Sequence, residues 1–362
     1  MITTSIPRAL ALIAAVAASC ALAQPSAAPP PPPPPLERAP IGPPVAQPPF
    51  PSPSTGTLTQ STRGAEARAA ETPASRWQGA LNQLDADLRL RLLTADHPPQ
   101  AWLAGELDAT DIESKVRHYT AARTAAPGEP LYQASLAIAC LTHVRPPLSQ
   151  CEAVDRLADW ARRDTGNGLP EVLLADRARQ RGELDAAASY VEEAAAAPRF
   201  DDYWSQGAAL WWNYLRAAPL DVDPAARAKA AANYASERDL AWATSLRALC
   251  AERAGRSDRM KAACEKLGMA MMARGATFAL QRAGARVAEI NAPDARARAD
   301  AQLGNARVLE AAAQCAQAQP DFETGLESPA AATRARAVDQ FAAWASAQAK
   351  DGEVGACRRL RR

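Results

Sequence analysis

The sequence predicts an all-α protein built of stacked helical hairpins, and three observations predict it. From Thr72 onward, apolar residues recur at the three- and four-residue spacing of amphipathic helices in segment after segment. Period-2 alternation of β-branched residues is absent, and Val and Ile are sparse. The stretch from Gly168 to Arg199 reads as two short helices about a turn at Arg181-Gly182. The apolar face of its first helix is too narrow to close a core alone, so the pair must stack on neighbours.

The chain opens with a segment that does not belong to the fold. Arg8 precedes a short apolar run from Ala9 to Ala18, and Ala21-Leu22-Ala23 before Gln24 fits a small-x-small cleavage site. Residues 1–23 therefore read as a secretory signal peptide, too short to span a membrane. A rival reading takes Ala17-Ala18-Ser19-Cys20 as a lipoprotein cleavage box, with Cys20 lipidated and Ala17 in place of the usual Leu. Residues 24–72 are the next unit. Between 24 and 53 lie 15 of the chain's 30 prolines, seven of them consecutive, which excludes a packed core there. An extended spacer of ~3.1 Å per residue is expected, a tether more than a PxxP ligand.

The folded unit is expected over 73–362. Trp77, Leu81, Leu84, Leu88 and Leu92 form the first stripe, with Asp85–Arg89 and Asp87–Arg91 at i,i+4. Further helices are read at 99–106, 111–125, 131–142 and 151–163, the last with Val154, Leu157, Ala158 and Ala161 inward. In the 168–199 stretch, Val172, Leu174, Ala175 and Ala178 form one face. Leu184, Ala187, Ala188, Val191, Ala194 and Ala195 form the other. Helices follow at 203–216, at 224–237 behind an Asp223-Pro224 start, and at 239–252, 257–273, 276–290 and 293–315. Another opens at Ser328-Pro329, and 354–361 is a short last one. No later run is apolar enough to cross a membrane.

Setting Cys20 aside, six cysteines remain, an even number that suits an exported, disulfide-bonded chain. None is spaced as CxxC, which argues against a redox or zinc site. Adjacency of the helices that carry them points to Cys140–Cys151, Cys250–Cys264 and Cys315–Cys357, each pinning two neighbouring helices.

The 168–199 hairpin resembles a tetratricopeptide repeat. Leu174-Ala175 stand where that family has Leu-Gly, Gly182 matches its turn glycine, and Leu184 takes the place of the following aromatic. Ala187, Val191 and Ala194 match its small, bulky and small positions, and Pro198 lies within one residue of the closing proline. Glu171 stands where Trp is common, and Ala178 where Tyr is common. The resemblance covers this one unit. It implies a helical-repeat scaffold that binds proteins or peptides.

Forty-one basic against 40 acidic residues give a net charge of +1, so no global field attracts nucleic acid. GxSxG, HExxH, P-loop and GxGxxG motifs are all absent. His97, His118 and His143 lack ligand spacing, and Glu192-Glu193 reads as a solvated face. No cofactor and no metal are expected. The aromatic concentration Tyr203, Trp204, Trp211, Trp212 and Tyr214 admits two readings. Large rings fill gaps in an alanine-rich core, or they line a groove in which amphipathic rings anchor a partner. On the second reading Tyr203, Trp204, Trp211 and Trp212 form the binding site, with Asp201 and Asp202 receiving a basic group. The basic end Arg358-Arg359-Leu360-Arg361-Arg362 suits a helix C-terminus.

The expectation is a non-enzymatic binding scaffold of the bacterial cell envelope, periplasmic or secreted. Its partner is a protein or peptide, and it meets a membrane only through a lipid anchor. The alternatives are an outer-membrane-tethered assembly lipoprotein and a cell-wall hydrolase with an unrecognised site.

Overall fold

The computed structural model describes residues 73–92, 97–108, 111–142, 151, 155–236, 241–251, 257–318 and 322–360. The expected signal peptide, the Pro-rich spacer and Cys20 lie outside them, as do the side chain of Trp77 and residues His143, Arg361 and Arg362. Among the described residues the fold is helical throughout, with two isolated β-bridges and no strand.

The helices are α1 (Pro73–Leu92), α2 (Pro98–Leu107), α3 (Ile112–Ala125), α4 (Pro130–Thr142), α5 (Arg156–Arg163), α6 (Leu169–Gln180), α7 (Leu184–Ala196) and α8 (Trp204–Ala217). They continue with α9 (Pro224–Ser236), α10 (Ala241–Cys250), α11 (Asp258–Arg274), α12 (Phe278–Asn291), α13 (Ala295–Ala318), α14 (Phe322–Leu326) and α15 (Ala331–Leu360). Side chains start several of them. Asp111, Asp155, Ser257 and Thr277 accept from backbone amides one turn in, and Asp223 accepts from Ala225 N at 2.7 Å behind the proline at N1. Of the helix expected over 151–163, Arg156–Arg163 forms α5, capped by Asp155, and Val154 lies outside the described residues. The short helix expected at 354–361 continues α15 beyond a break at Gly352, whose φ of 68° and ψ of 174° suit glycine.

Packing follows the chain order for the first half. Each helix from α1 to α7 lies on the next. The order then changes. Helix α6 packs on α10 and α7 on α11, while α12 packs on α11 and α13 on α12. The α8–α9 hairpin leaves this stack and packs on α15, with α8 also against α2 and α9 also against α1 and α14. A hairpin that touches only its sequence neighbours is therefore not what α8–α9 forms. The reason lies in its rings. Trp211 stacks on Tyr234 of α9 at 4.3 Å, and Trp212 meets Phe341 of α15 edge-on at 5.2 Å. Those surfaces need a partner helix, and α15 supplies it.

Helix α6 is covered nearly all round. Besides the expected Val172, Leu174, Ala175 and Ala178, it buries Leu169, Leu173 and Asp176. In α7, Ala187, Ala188, Val191 and Ala194 are at most 1% exposed, as their spacing predicts. Leu184 departs from that face. It stands at the first position of α7, beyond the reach of the neighbouring helices, and is 57% exposed. Helices α11 and α12 approach closely through glycines: a Cβ on Gly268 would lie 2.4 Å from Ala288 N, and one on Gly284 2.5 Å from Met272 N. Cys140–Cys151, Cys250–Cys264 and Cys315–Cys357 form disulfides with Cα separations of 5.5, 5.5 and 5.3 Å. The second joins α10 to α11 and the third joins α13 to α15.

Candidate functional site

Three connections between helices run side by side. Gly168 N donates to Arg199 O, Arg199 N to Gly166 O, Phe200 N to Arg274 O, and Ala276 N to Phe200 O. Val354 N donates to Ala276 O and adds a fourth segment. These backbone bonds make a ledge from which α6, α8, α12 and the last part of α15 set out. Gly166, with φ of 93°, lets the first connection turn, and Pro198 lies 3.1 Å from where its Cβ would be.

Two of the expected site residues, Asp201 and Tyr203, join a buried polar network on this ledge that centres on Asp164. One carboxylate oxygen of Asp164 accepts from Trp160 Nε1 at 2.9 Å, Asn167 Nδ2 at 2.8 Å and Tyr203 Oη at 2.5 Å. Its other oxygen takes the Arg199 guanidinium. Asn167 in turn donates to Asp201 O and accepts from Asp201 N, and Asp201 Oδ1 accepts from Tyr203 N at 2.8 Å. Tyr203 sits in the left-handed region with φ of 58°, the one positive φ outside glycine among the described residues. Its strain is held by bonds from its backbone amide to Asp201 and from its phenol to Asp164. Asp202 accepts from Trp204 N at 3.3 Å and starts α8.

Electrostatics follow from burial. Asp201 is pushed up to about 6, first by desolvation and then by Asp202 and Asp164 beside it, against the pull of Tyr203 N and Arg199. Desolvation and the Asp164 carboxylate push the Tyr203 phenol up as well, so it keeps its proton as donor. Glu171, in the first turn of α6, has a buried Oε2 with no hydrogen-bond partner. Desolvation carries its carboxyl up to about 7, with Glu193 and Asp164 adding to the rise.

The chemistry open to this network is limited by its saturation. Asp164 is committed to four donors, Tyr203 stays protonated, and the solvent-facing group is Arg199, whose side chain is 42% exposed. A carboxyl such as Glu171 has the pKa of a general acid. Two surface cavities among the described residues lie on other elements. One, of about 270 Å³, is lined by Arg286, Glu289, Ile290 and Arg298. The other, of about 170 Å³, lies among α12, α13 and α15. Among the described residues no cluster of His, Cys, Asp and Glu is arranged to hold a metal.

The predicted groove takes a different form. Tyr203, Trp211 and Trp212 are each 2% exposed. All three are buried: Trp211 against Tyr234 of α9, Trp212 against Phe341 of α15, and Tyr203 beside Asp164 and Arg199. Trp204 is half-buried and is the one of the four that still meets solvent. Asp201 and Asp202 spend their oxygens on backbone amides at the start of α8. Four residues of the network, Trp160, Asp164, Asn167 and Arg199, escape a reading by motif, as does Glu171, whose carboxyl feels Asp164. Glu171 carries a signal in hindsight, being a carboxylate where the repeat pattern has a large apolar ring.

Comparison with family models, with curated proteins and with solved structures finds no match. The likeness to tetratricopeptide repeats therefore rests on the residues of the 168–199 hairpin and on the helical packing around it.

Proposed function

We propose that this chain is an exported helical scaffold that works by binding a protein or peptide partner and not by turning over a substrate. The observation that carries the reading is the placement of the disulfides. Cys250–Cys264 and Cys315–Cys357 each tie two packed helices, and Cys140–Cys151 closes off the end of α4. Such staples suit an oxidising compartment, where disulfides persist and reinforce a fold rich in small side chains. No helix among the described residues is long and apolar enough to cross a membrane. The polar network at the ledge belongs to the scaffold on this reading. It fixes the exits of α6 and α8 so that the surfaces of the array keep a constant shape.

Fractionation of the native host with non-reducing peptide mapping tests the export part. The three disulfides are expected intact in protein recovered outside the cytoplasm, and free thiols on cytoplasmic protein would overturn it. Incubation of the purified oxidised chain with cell-wall material, followed by chromatography of the soluble fraction, tests the binding part. Release of new fragments at a rate that scales with protein concentration would establish the hydrolase alternative instead.

A further inference from the structure

The cavity of about 170 Å³ among α12, α13 and α15 has an apolar floor and a basic rim. Phe278, Val308, Val354 and Cys357 form the floor, all buried. Arg307 and Arg358 form the rim. Both are exposed, and neither makes a hydrogen bond or ion pair among the described residues. Neighbouring charges are spent elsewhere. Glu353 caps α12 through the amide of Phe278, and Arg359 pairs with Asp351 at 2.7 Å. The Cys315–Cys357 disulfide ties the two walls, so the groove keeps its width. Its volume falls below the roughly 300 Å³ at which pockets begin to enclose a drug-sized ligand, which leaves room for one apolar side chain.

A fitting side chain projects from the same molecule. Six residues in a row are exposed about the α6–α7 turn, Gln180 to Asp185. At its tip Gly182 has φ of 78° and open space where a Cβ would point. Leu184 follows, 57% exposed, between Glu183 and Asp185. Of the exposed large apolar residues, Leu184 alone has a carboxylate on both sides. Leu90 lies between two arginines, and Leu141, Met269, Leu303 and Leu309 have at most one acidic neighbour. Arg259, whose field reaches Asp185, is itself held by Glu192 at 2.7 Å. Two carboxylates against Arg181 leave the turn acidic, opposite a rim of two unpaired guanidiniums.

We infer that the α6–α7 turn of one copy docks into the Arg307–Arg358 groove of a second copy, Leu184 entering the apolar floor while Glu183 and Asp185 meet the two arginines. The two surfaces are different patches of one chain, so the contact is head-to-tail and propagates. One side chain and its flanks cover less than the area of a permanent interface, so association is weak and concentration-dependent. This goes beyond the binding of a foreign partner and can stand or fall without it.

Sedimentation velocity of the oxidised full chain over a wide concentration range tests the contact. The sedimentation coefficient is expected to rise with concentration and to fall back with added salt. Reversing the turn (Glu183→Arg with Asp185→Arg) or the groove (Arg307→Glu with Arg358→Glu) is expected to weaken self-association about tenfold or more, since like charges then face each other. An equimolar mixture of the two reversed proteins is expected to associate again, because each turn now meets a groove of opposite sign. Leu184→Ser tests the apolar half without changing charge, and circular dichroism verifies that each variant is folded. A wild-type chain that stays monomeric at every concentration would overturn the proposal. Variants that associate like wild type, or a mixture that does not recover, would overturn it too.

Discussion

Tyr203 Oη donates to Asp164 at 2.5 Å, joining the start of α8 to the connection that precedes α6, 39 residues earlier. The bond is buried, and its acceptor is charged. Tyr203→Phe keeps the ring and removes the donor, so it is expected to destabilise the fold by about 2 kcal/mol, within the range for hydrogen bonds to charged groups. Asp164→Ala is expected to cost more, about 3–5 kcal/mol, because it leaves several buried donors and a guanidinium without their acceptor. Urea unfolding of both variants measures this. An unchanged midpoint for Tyr203→Phe would mean the bond contributes nothing.

The tryptophans of α8 separate core from surface. Trp211→Ala and Trp212→Ala each remove a buried ring with an aromatic partner and are expected to cost about 3–5 kcal/mol. Trp204→Ala, at a half-buried position, is expected to cost less than either. Thermal melts of the three variants give the ranking. If Trp211→Ala or Trp212→Ala melts like wild type, the packing of α8 on α9 and α15 is not as described.

Stability should depend on pH with a definite sign. Glu171 is raised from 4.5 to about 7 and Asp201 from 3.8 to about 6 in the folded chain. Below the unfolded values both are protonated in both states and contribute no difference. As pH rises, the unfolded chain ionises first, so these two groups make folding progressively less favourable from about pH 4 to about pH 7. Glu171→Gln is expected to flatten that slope and to raise the melting temperature at pH 7 more than at pH 4. Equal effects at both pH values would rule out the buried carboxyl as the cause.

The Cys315–Cys357 link closes the longest loop of the three, with a sequence separation of 42. In the chain-entropy description it should stabilise the most, by roughly 3–4 kcal/mol. The double Cys→Ser variants of each pair, compared by denaturant unfolding, measure the order. A larger loss on removing Cys140–Cys151 would contradict it.

Much of the local structure can be read from the chain, for reasons confined to neighbouring residues. Helix boundaries follow capping side chains such as Asp223 and Ser257. The turn glycine Gly182 takes the left-handed conformation that its place between two helices demands, with φ of 78°. Cys250–Cys264 joins consecutive helices, whereas Cys315–Cys357 bridges α13 to α15 across α14. The path of α8–α9 is not legible in this way. Trp212 meets Phe341, and Tyr234 Oη donates to Asp85 at 2.9 Å across 149 residues. Nothing in the local alanine-rich pattern selects those distant partners. The Asp164 network escapes a reading of the sequence for the same reason. Its members come from the end of α5 and from two connections that carry no motif, and they become a cluster only when the ledge aligns them.

In-cell photo-crosslinking from exposed helix positions and from Trp204, in the native host, tests the central claim most directly. A scaffold is expected to give discrete adducts with one protein or peptide partner, repeated at neighbouring surface positions and lost when the disulfides are removed. The absence of a protein adduct at every position would contradict the account.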